Sequence, residues 1–239
     1  MISPAKKQEL LSRIADIENF IISGGDGVIS IGTLCNNITA ESIKLARATD
    51  SLTPILRTAL VINWRESAMK SRYERFVNMF PDISTLIDLK RIIDSIDAFH
   101  FCKVYLNINA NSSTPDKNPK YRLLRELING FLEYQNQLGI SSEIEAIRHW
   151  SERVDLSNLK DDFIGKRHGV GVGVVENIRL NLGYRIVKPD RHVIGVMKNF
   201  LQVNIPPSGY SDFAKLLGID PRYFDCILFE YGKAKSISA

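Results

Sequence analysis

Apolar residues recur every three or four positions along most of this 239-residue chain, and no other feature restricts its fold as much. This spacing places apolar side chains on one face of an α-helix, whereas a half-buried strand alternates with a period of two. Strand-like alternation is almost absent, and only the run 28–31 suits a strand or an extended loop. Helices are predicted, among others, over 10–21, ended by the glycines from Gly24 onward, and over 121–138, ended by Gly139. The sequence therefore predicts an all-α fold.

A polar segment rich in Asn, Ser, Thr and Pro, residues 107–120, interrupts the helical pattern. Such a composition is typical of a surface loop. We therefore predict that residues 1–239 form a single unit of one or two helical lobes, with any division between lobes near this loop.

Composition excludes several classes of protein. The hydrophobic share of 44% and the charged share of 24% are those of a globular chain. No stretch approaches the roughly 18 apolar residues of a transmembrane helix, and no signal-peptide core follows Lys6 and Lys7. We therefore expect no membrane partner and a cytoplasmic location, at the nucleoid if the source is bacterial. The net charge of +4 favours polyanions only slightly.

Three cysteines, Cys35, Cys102 and Cys226, lie far apart in the sequence and form no Cys-x-x-Cys pair. An odd and sparse set argues against a disulfide framework and fits a reducing compartment. It also lacks the four thiolates of an all-cysteine iron–sulfur cluster. We therefore expect each cysteine to be a small buried apolar residue.

The most informative segment is 161–200, where glycines alternate with valines between two predicted helices. The first helix is predicted to end at Ile164 and the second to span 174–182. Four glycines lie in the turn between them: Gly165, and then the alternating Gly169, Gly171 and Gly173. Glycine lets a foreign backbone approach closely, and the first turn of a helix offers unpaired N–H groups at the positive end of its dipole. This arrangement predicts a phosphate site made of main-chain donors.

Two other interpretations of the glycines remain open. A dinucleotide-binding loop needs a preceding buried strand and a βαβ unit, and residues 155–166 do not have the pattern of such a strand. A plain turn between two helices is equally compatible with the glycines alone. The residues that follow favour the phosphate site over these alternatives.

With those residues, the segment resembles the helix-hairpin-helix DNA glycosylase superfamily. Its signature is a Gly-Val-Gly hairpin, a helix, a loop with Gly and Pro, and a catalytic Asp that begins the next helix. This chain has, in order, Gly169-Val170-Gly171, then Gly183, then Pro189-Asp190-Arg191-His192-Val193. A later helix over 223–232 is similar to the family's late helix, so the resemblance covers 161–200 and this helix.

The resemblance implies an active-site cleft between two lobes, with Asp190 as the catalytic carboxylate. Cleavage of an N-glycosidic bond builds positive charge on the sugar, which a carboxylate stabilises. The alternative role of Asp190 is that of a helix N-cap, and the two roles are compatible. Lyase members of the family carry a lysine where this chain has Gly173, or Val172 if the gap is placed differently. We therefore expect a monofunctional enzyme that leaves an abasic site.

The remaining assignments concern DNA and the flipped base. Predicted contacts to DNA are Lys166, Arg167, His168, Gly169, Gly171 and Gly173. A flipped base needs aromatic partners. The resemblance favours Phe229 and Tyr231 with Trp64 as a further candidate, ahead of Trp150, Tyr105 and Tyr184, and for each of them core packing is the alternative. The four histidines have no metal-ligand spacing. We expect a monomer that binds double-stranded DNA without a required cofactor, with a monovalent cation at the hairpin carbonyls as in relatives.

The chain departs from the family pattern at two places. His168 stands where the family has proline, and bulkier residues replace the usual Thr-Ala after the hairpin. These departures keep two rival hypotheses open: a non-catalytic DNA-binding module in which Asp190 is only a cap, and a helical protein that binds a nucleotide or another small molecule.

Overall fold

The computed structural model describes residues 3–24, 27–45, 50–61, 66–109, 111 and 113–237. These residues are mainly α-helical, which confirms the all-α prediction. The α-helices of the described part are α1 (Pro4–Glu18), α2 (Ile31–Leu45), α3 (Leu52–Val61), α4 (Glu66–Met79), α5 (Leu86–Ser95), α6 (Ala98–His100), α7 (Pro119–Leu138), α8 (Glu143–Arg153), α9 (Val172–Asn181), α10 (Arg191–Gly195), α11 (Tyr210–Leu217) and α12 (Pro221–Ala234).

Shorter elements complete the chain. Helices α6 and α10 each continue into a π-helical turn, Phe101–Tyr105 and Val196–Phe200. Three 3₁₀ turns lie at Pro115–Lys117, Leu156–Asn158 and Pro207–Gly209.

Strands β1 (Ile21–Gly24) and β2 (Gly27–Ser30) form an antiparallel hairpin in which Ile22 is paired with Ile29. The first helix, predicted to reach residue 21, therefore ends earlier, at Glu18. The apolar run misled the prediction because Ile22 faces the core whereas Ile21 is 55% exposed. This alternation is that of a strand.

Local signals explain where the long helices begin and end. The side chain of Asn118 accepts hydrogen bonds from the first turn of α7, and Pro119 occupies the first position, where no N–H is needed. Gly139 ends α7 in the left-handed conformation, with φ of +63°. Asp220 caps α12 in the same way as Asn118 caps α7.

The chain folds into two compact units. The terminal unit comprises Met1–Arg47 and Gly183–Ala239, and the middle unit comprises Ala48–Leu182. The polar segment 107–120, predicted as the division between lobes, lies within the middle unit. Its polarity reflects exposure at a surface, which does not require a boundary between units.

Each unit has its own buried core. In the terminal unit, α12 packs on α1, α2, α10 and α11. Its buried residues include Ile17, Ile31, Val193, Phe224 and Ile227. In the middle unit, α3 packs on α4, α7 and α9. Its largest fully buried side chains are Phe76, Phe101, Phe131 and Trp150.

A disulfide joins Cys35 of α2 to Cys226 of α12, with their Cα atoms 5.6 Å apart. The expectation that every cysteine is an unpaired apolar residue is therefore wrong for these two. It holds for Cys102, which is free and buried. Burial raises the pKa of the Cys102 thiol to about 12. Sequence spacing failed here because helix packing joins residues 191 positions apart.

Candidate functional site

The glycine turn lies in the middle unit and leads directly into α9. Gly169 has φ of +81°, which strongly favours glycine, and the amide of Val170 donates to the carbonyl of Arg167 at 3.1 Å. Gly171 is the N-cap of α9 in an extended conformation, with no side chain to accept a hydrogen bond. The second predicted helix is confirmed, and it begins at Val172, two residues earlier than expected.

The first helix of the expected helix-hairpin-helix does not form. The prediction that an α-helix ends at Ile164 is wrong, because residues 159–169 form successive turns. Asp162 Oδ1 accepts the amides of Ile164 at 2.9 Å and Gly165 at 2.6 Å, so a side chain replaces the acceptors that a helix would provide. Gly165 also lies so close to the carbonyl of Leu159 that a Cβ atom would overlap it.

Neither lack of space nor a positive φ requires glycine at Gly171 or Gly173. A Cβ atom at either position would meet nothing within 4 Å, and neither residue has a positive φ. In the described part of the chain, the amides of Val172 and Gly173 donate no hydrogen bond, as is usual in the first turn of a helix. The start of α9 therefore presents unpaired donors beneath open space, an arrangement that suits an anion.

Helix α9 is fixed to its neighbours by Arg179. Its Nε donates to the carbonyl of Ser151 at 2.9 Å, its Nη2 to the carbonyl of Val154 at 3.3 Å, and its Nη1 to Glu176 at 3.0 Å. Asn181 also donates to Thr58 of α3 at 3.2 Å. Arg179 thus stabilises the scaffold of the turn, and its charge is already paired.

The basic residues before the turn fall into two groups. Lys166 and His168 are exposed, and the Lys166 ammonium lies 5.4 Å from the ring of Phe163. Arg167, a predicted contact to DNA, is instead bonded to Glu133 and lies 3.7 Å from Glu126.

Arg167 also fills space that α7 leaves open. Its side chain is 17% exposed, and it passes over Gly130, where a Cβ atom would lie 2.6 Å from the arginine Nε. Two carboxylates and this packing assign Arg167 to the fold of the middle unit. Lys166 and His168 remain available to an anion at the turn.

Asp190 lies in the terminal unit and begins α10, as predicted. Its Oδ1 accepts the amides of His192 at 2.8 Å and Val193 at 2.9 Å. Its Oδ2 receives no hydrogen bond from any residue that the structure describes, and the residue is half-buried. One carboxylate oxygen therefore caps the helix while the other is open to a ligand.

The segment before Asp190 is fixed by two residues that sequence reasoning missed. Ser211 Oγ accepts the amide of Val187 at 2.9 Å, and Asp225 Oδ1 accepts the amide of Lys188 at 2.8 Å. The carbonyl of Lys188 in turn accepts the amide of Asp190 at 2.8 Å, across Pro189. The available signal was a charged residue within the apolar run of α12, Phe224-Asp225-Cys226-Ile227-Leu228.

Asp225 is a buried carboxylate, 6% exposed. Arg222 donates to its Oδ2 at 3.0 Å. Burial raises the pKa of Asp225 to about 6, and the nearby charge of Asp190 acts in the same direction. The Arg222 guanidinium and the Lys188 amide oppose this rise.

His192 is held by the C-terminal segment. Its Nδ1 lies 2.8 Å from the carbonyl oxygen of Ile237, and its ring meets the edge of Phe229 at 5.7 Å. Gly232 lets α12 approach α10, since a Cβ atom there would lie 3.0 Å from the Cβ and carbonyl oxygen of His192. These contacts give His192 a structural role.

The aromatic residues predicted to hold a base are mostly engaged elsewhere. Tyr231 is 8% exposed and packs in the core against Phe20 and Phe200, with ring centroids 5.4 and 5.0 Å away. Phe229 is half-buried beside His192. Trp64 lies outside the described residues.

The lower-ranked aromatic candidates include two that also pack within the middle unit. Trp150 is 1% exposed and donates to Asp162, and Tyr105 stacks with Phe80.

Among the described residues, no group of three or more His, Cys, Asp and Glu side chains is arranged to hold a metal ion. No helix in the described ranges is long and apolar enough to cross a membrane. No family model, no curated protein and no solved structure matches the chain. The case for a function therefore rests on the glycine turn, Asp190 and the contacts around them.

Proposed function

We propose that this chain is a monofunctional DNA glycosylase, which flips a damaged or modified base out of duplex DNA and hydrolyses its bond to the sugar. This proposal rests on the difference between the two carboxylate oxygens of Asp190. Its Oδ1 accepts two amides of α10, which fixes the carboxylate, and its Oδ2 has no partner among the described residues. A carboxylate held in one orientation with one open oxygen is preorganised for a developing cation.

In the proposed reaction, positive charge grows on the sugar as the base leaves. The open Oδ2 of Asp190 stabilises this charge and orients the water that attacks C1′. The two hydrogen bonds that Oδ1 accepts from backbone amides keep the carboxylate in this orientation during the reaction. The products are a free base and an abasic site.

The glycine turn is proposed to grip the DNA backbone. The unpaired amides at the start of α9 bind a phosphate oxygen, and the open space above Gly171 and Gly173 admits the strand. Lys166 adds a positive charge at the same place, and the exposed His168 offers a further polar contact. Such contacts position the duplex and carry no base preference.

The chain is proposed to lack lyase activity. The first two residues of α9 are Val172 and Gly173. They occupy the position where lyase members of the helix-hairpin-helix family carry a lysine. Neither has an amine that forms a Schiff base with the sugar. We further propose a monomer that acts on double-stranded DNA and requires no cofactor, with a monovalent cation at the hairpin carbonyls. The Cys35–Cys226 disulfide argues against the reducing, cytoplasmic location that the sequence predicted.

A screen of lesions tests the proposal. Duplexes with single uracil, hypoxanthine, 8-oxoguanine, alkylated purines or modified cytosines are incubated with the protein and then heated in alkali, which cuts the strand at abasic sites. We expect alkali-dependent cleavage of one lesion class by the wild type and none by Asp190→Asn, whose amide oxygen still caps α10.

Asp220→Asn is the matched control. Asp220 caps α12 through amides of Arg222 and Tyr223 at 2.9 and 3.1 Å, as Asp190 caps α10. Cleavage that survives in Asp220→Asn and is lost in Asp190→Asn separates chemistry from capping. Cleavage that both variants retain would contradict a catalytic Asp190.

The cap itself favours a second candidate function, a DNA-binding protein without catalysis. In that case Asp190 serves only α10. This candidate predicts no cleavage of any lesion, together with salt-sensitive binding of duplex DNA by the wild type and by Asp190→Asn alike.

A further inference from the structure

Two hydrogen bonds connect the carboxylate of Asp225 to the backbone amide of Asp190, the residue proposed above as catalytic. Asp225 Oδ1 accepts the amide of Lys188 at 2.8 Å, and the carbonyl of the same residue accepts the amide of Asp190 at 2.8 Å. The backbone of Lys188 is thus held at both its N–H and its carbonyl group. The position of Asp190 depends on its own cap and on this relay from α12.

The relay starts from an ionisable group that is buried. Asp225 lies on α12, which packs on α10, and the residue is 6% exposed. The charges that act on its carboxylate are Arg222 of the same helix, and Lys188 and Asp190 of the segment before α10. None of the groups that shift its pKa lies in α1, α2, α11 or the π-helical turn Val196–Phe200, which also pack on α12.

We propose that Asp225 is a positioning residue whose ionisation regulates the site, by anchoring the Lys188–Asp190 segment and so orienting the Asp190 carboxylate. This inference rests on the proposed function. The physical reason is that a hydrogen bond to an ionised carboxylate is roughly twice as strong as one to a neutral acid. Protonation of Asp225 also removes its ion pair with Arg222, so acid loosens the anchor at both of its oxygens.

The range in which this regulation acts is close to neutral pH. Burial raises the pKa of Asp225 to about 6, from the ordinary value of 3.8 for an aspartate. Above this pH the Asp225 carboxylate is therefore ionised and binds the Lys188 amide strongly. Below it the carboxyl group is protonated, and the hydrogen bond is weaker. A purely structural carboxylate in the same place would affect folding without producing a titration in the rate of base removal.

The first test needs no enzymatic activity. The backbone amide resonance of Lys188 is followed by NMR in the full-length protein while the pH is changed. We expect a titration with a midpoint near 6 in the wild type and its loss in Asp225→Asn. In Arg222→Gln the midpoint should move to higher pH, because Arg222 lowers the pKa of Asp225.

A surface aspartate of the same unit provides the matched control. Asp212 is 81% exposed, and among the described residues it pairs with Lys215 of its own helix alone. Asp212→Asn should leave the midpoint of the Lys188 amide unchanged. If Asp225→Asn does not fold, the titration of the wild type and its displacement in Arg222→Gln still decide the matter.

The second test follows base removal in a single turnover on the lesion that the screen identifies. The rate should fall in acid with the same midpoint as the Lys188 amide. In Asp225→Asn this acid limb should be absent and the rate above pH 7.5 about 10-fold lower, with affinity for DNA unchanged within about twofold.

The outcomes separate this inference from the proposed function. An amide of Lys188 that does not titrate, or an acid limb that persists unchanged in Asp225→Asn, overturns the role of Asp225. A Lys188 amide that titrates with Asp225 in a protein that removes no base supports the anchor and overturns the glycosylase proposal.

Discussion

The indole N–H of Trp150 donates to Asp162 Oδ1 at 2.8 Å, and this one oxygen also accepts the amides of Ile164 and Gly165. The contact joins α8 to the segment that enters the glycine turn. Because three donors converge on one carboxylate oxygen, Asp162 determines the path of the chain toward α9.

Removal of this acceptor should destabilise the middle unit. Asp162→Ala leaves the buried Trp150 indole and two amides without partners, and we expect a loss of about 3 kcal/mol in the free energy of unfolding. The neighbouring Asp161 is exposed, so Asp161→Ala should change stability by less than about 0.5 kcal/mol. Urea denaturation followed by tryptophan fluorescence measures both, and equal losses in the two variants would refute the role of Asp162.

The glycines of the turn should affect DNA binding without affecting the fold. Gly171→Ala adds a methyl group where nothing lies within 4 Å, yet that group obstructs a phosphate. We expect about tenfold weaker binding of a duplex, or about 1.4 kcal/mol, with little change in melting temperature. Gly209, which begins α11 without a side-chain cap, provides the matched variant Gly209→Ala, and its affinity should stay that of the wild type.

Salt dependence gives a second check on the same surface. Lys166→Gln removes one positive charge, so the slope of log affinity against log salt should fall by about 1. Gly171→Ala removes no charge and should keep the slope of the wild type. Fluorescence anisotropy at several salt concentrations measures these slopes, and an unaltered slope in Lys166→Gln would remove this lysine from the interface.

The buried Asp225 predicts an unusual pH dependence of stability. Burial raises its pKa from the ordinary value of 3.8 to about 6, so the folded state binds the proton of Asp225 more tightly than the unfolded chain does. Its contribution to stability is therefore complete below pH 3.8 and is lost as pH rises through 6, by about 3 kcal/mol in total.

The difference between two proteins isolates this contribution. The stability of Asp225→Asn relative to the wild type should increase between pH 4 and pH 7, since the amide has no charge to bury. Urea denaturation across this range provides the measurement. A constant difference between the two proteins would show that Asp225 keeps an ordinary pKa.

The disulfide predicts a strong effect of reducing agent. Cys35 and Cys226 close a loop of 191 positions, and loss of such a link is expected to lower stability by about 5 kcal/mol in the chain-entropy account. Cys35→Ser should lower stability as much as reductant does. Cys102→Ser should still lose stability when reductant is added, because its disulfide is intact. Thiol titration of the unreduced, denatured protein should find one free thiol, and finding three would contradict the pairing.

Local signals in the sequence predicted much of the fold. Helical spacing and the glycine at its end located α7, and the Pro-Asp pair located the start of α10 at Asp190. The alternating glycines located the start of α9 within two residues. These features depend on neighbours within one or two turns, which a single sequence records.

Long-range contacts account for what the sequence did not predict. The segment after Asp162 forms turns where a helix was predicted. The Oδ1 of Asp162 accepts the hydrogen bonds of two backbone amides and also that of the Trp150 indole in α8. Asp225 reaches Lys188, which is 37 positions away, only after α12 has packed on α10. Arg167 has the charge expected of a phosphate contact, but Glu126 and Glu133 of α7 neutralise that charge.

The rate of base release by the wild type and Asp190→Asn tests the central claim most directly. On the lesion that the screen identifies, the free base is quantified under single-turnover conditions, alongside the dissociation constant for the same duplex. Our account predicts that Asp190→Asn binds as tightly as the wild type but releases the base about 10²- to 10⁴-fold more slowly. Equal rates in the two proteins, or tight binding by both with no base released from any lesion, would contradict it.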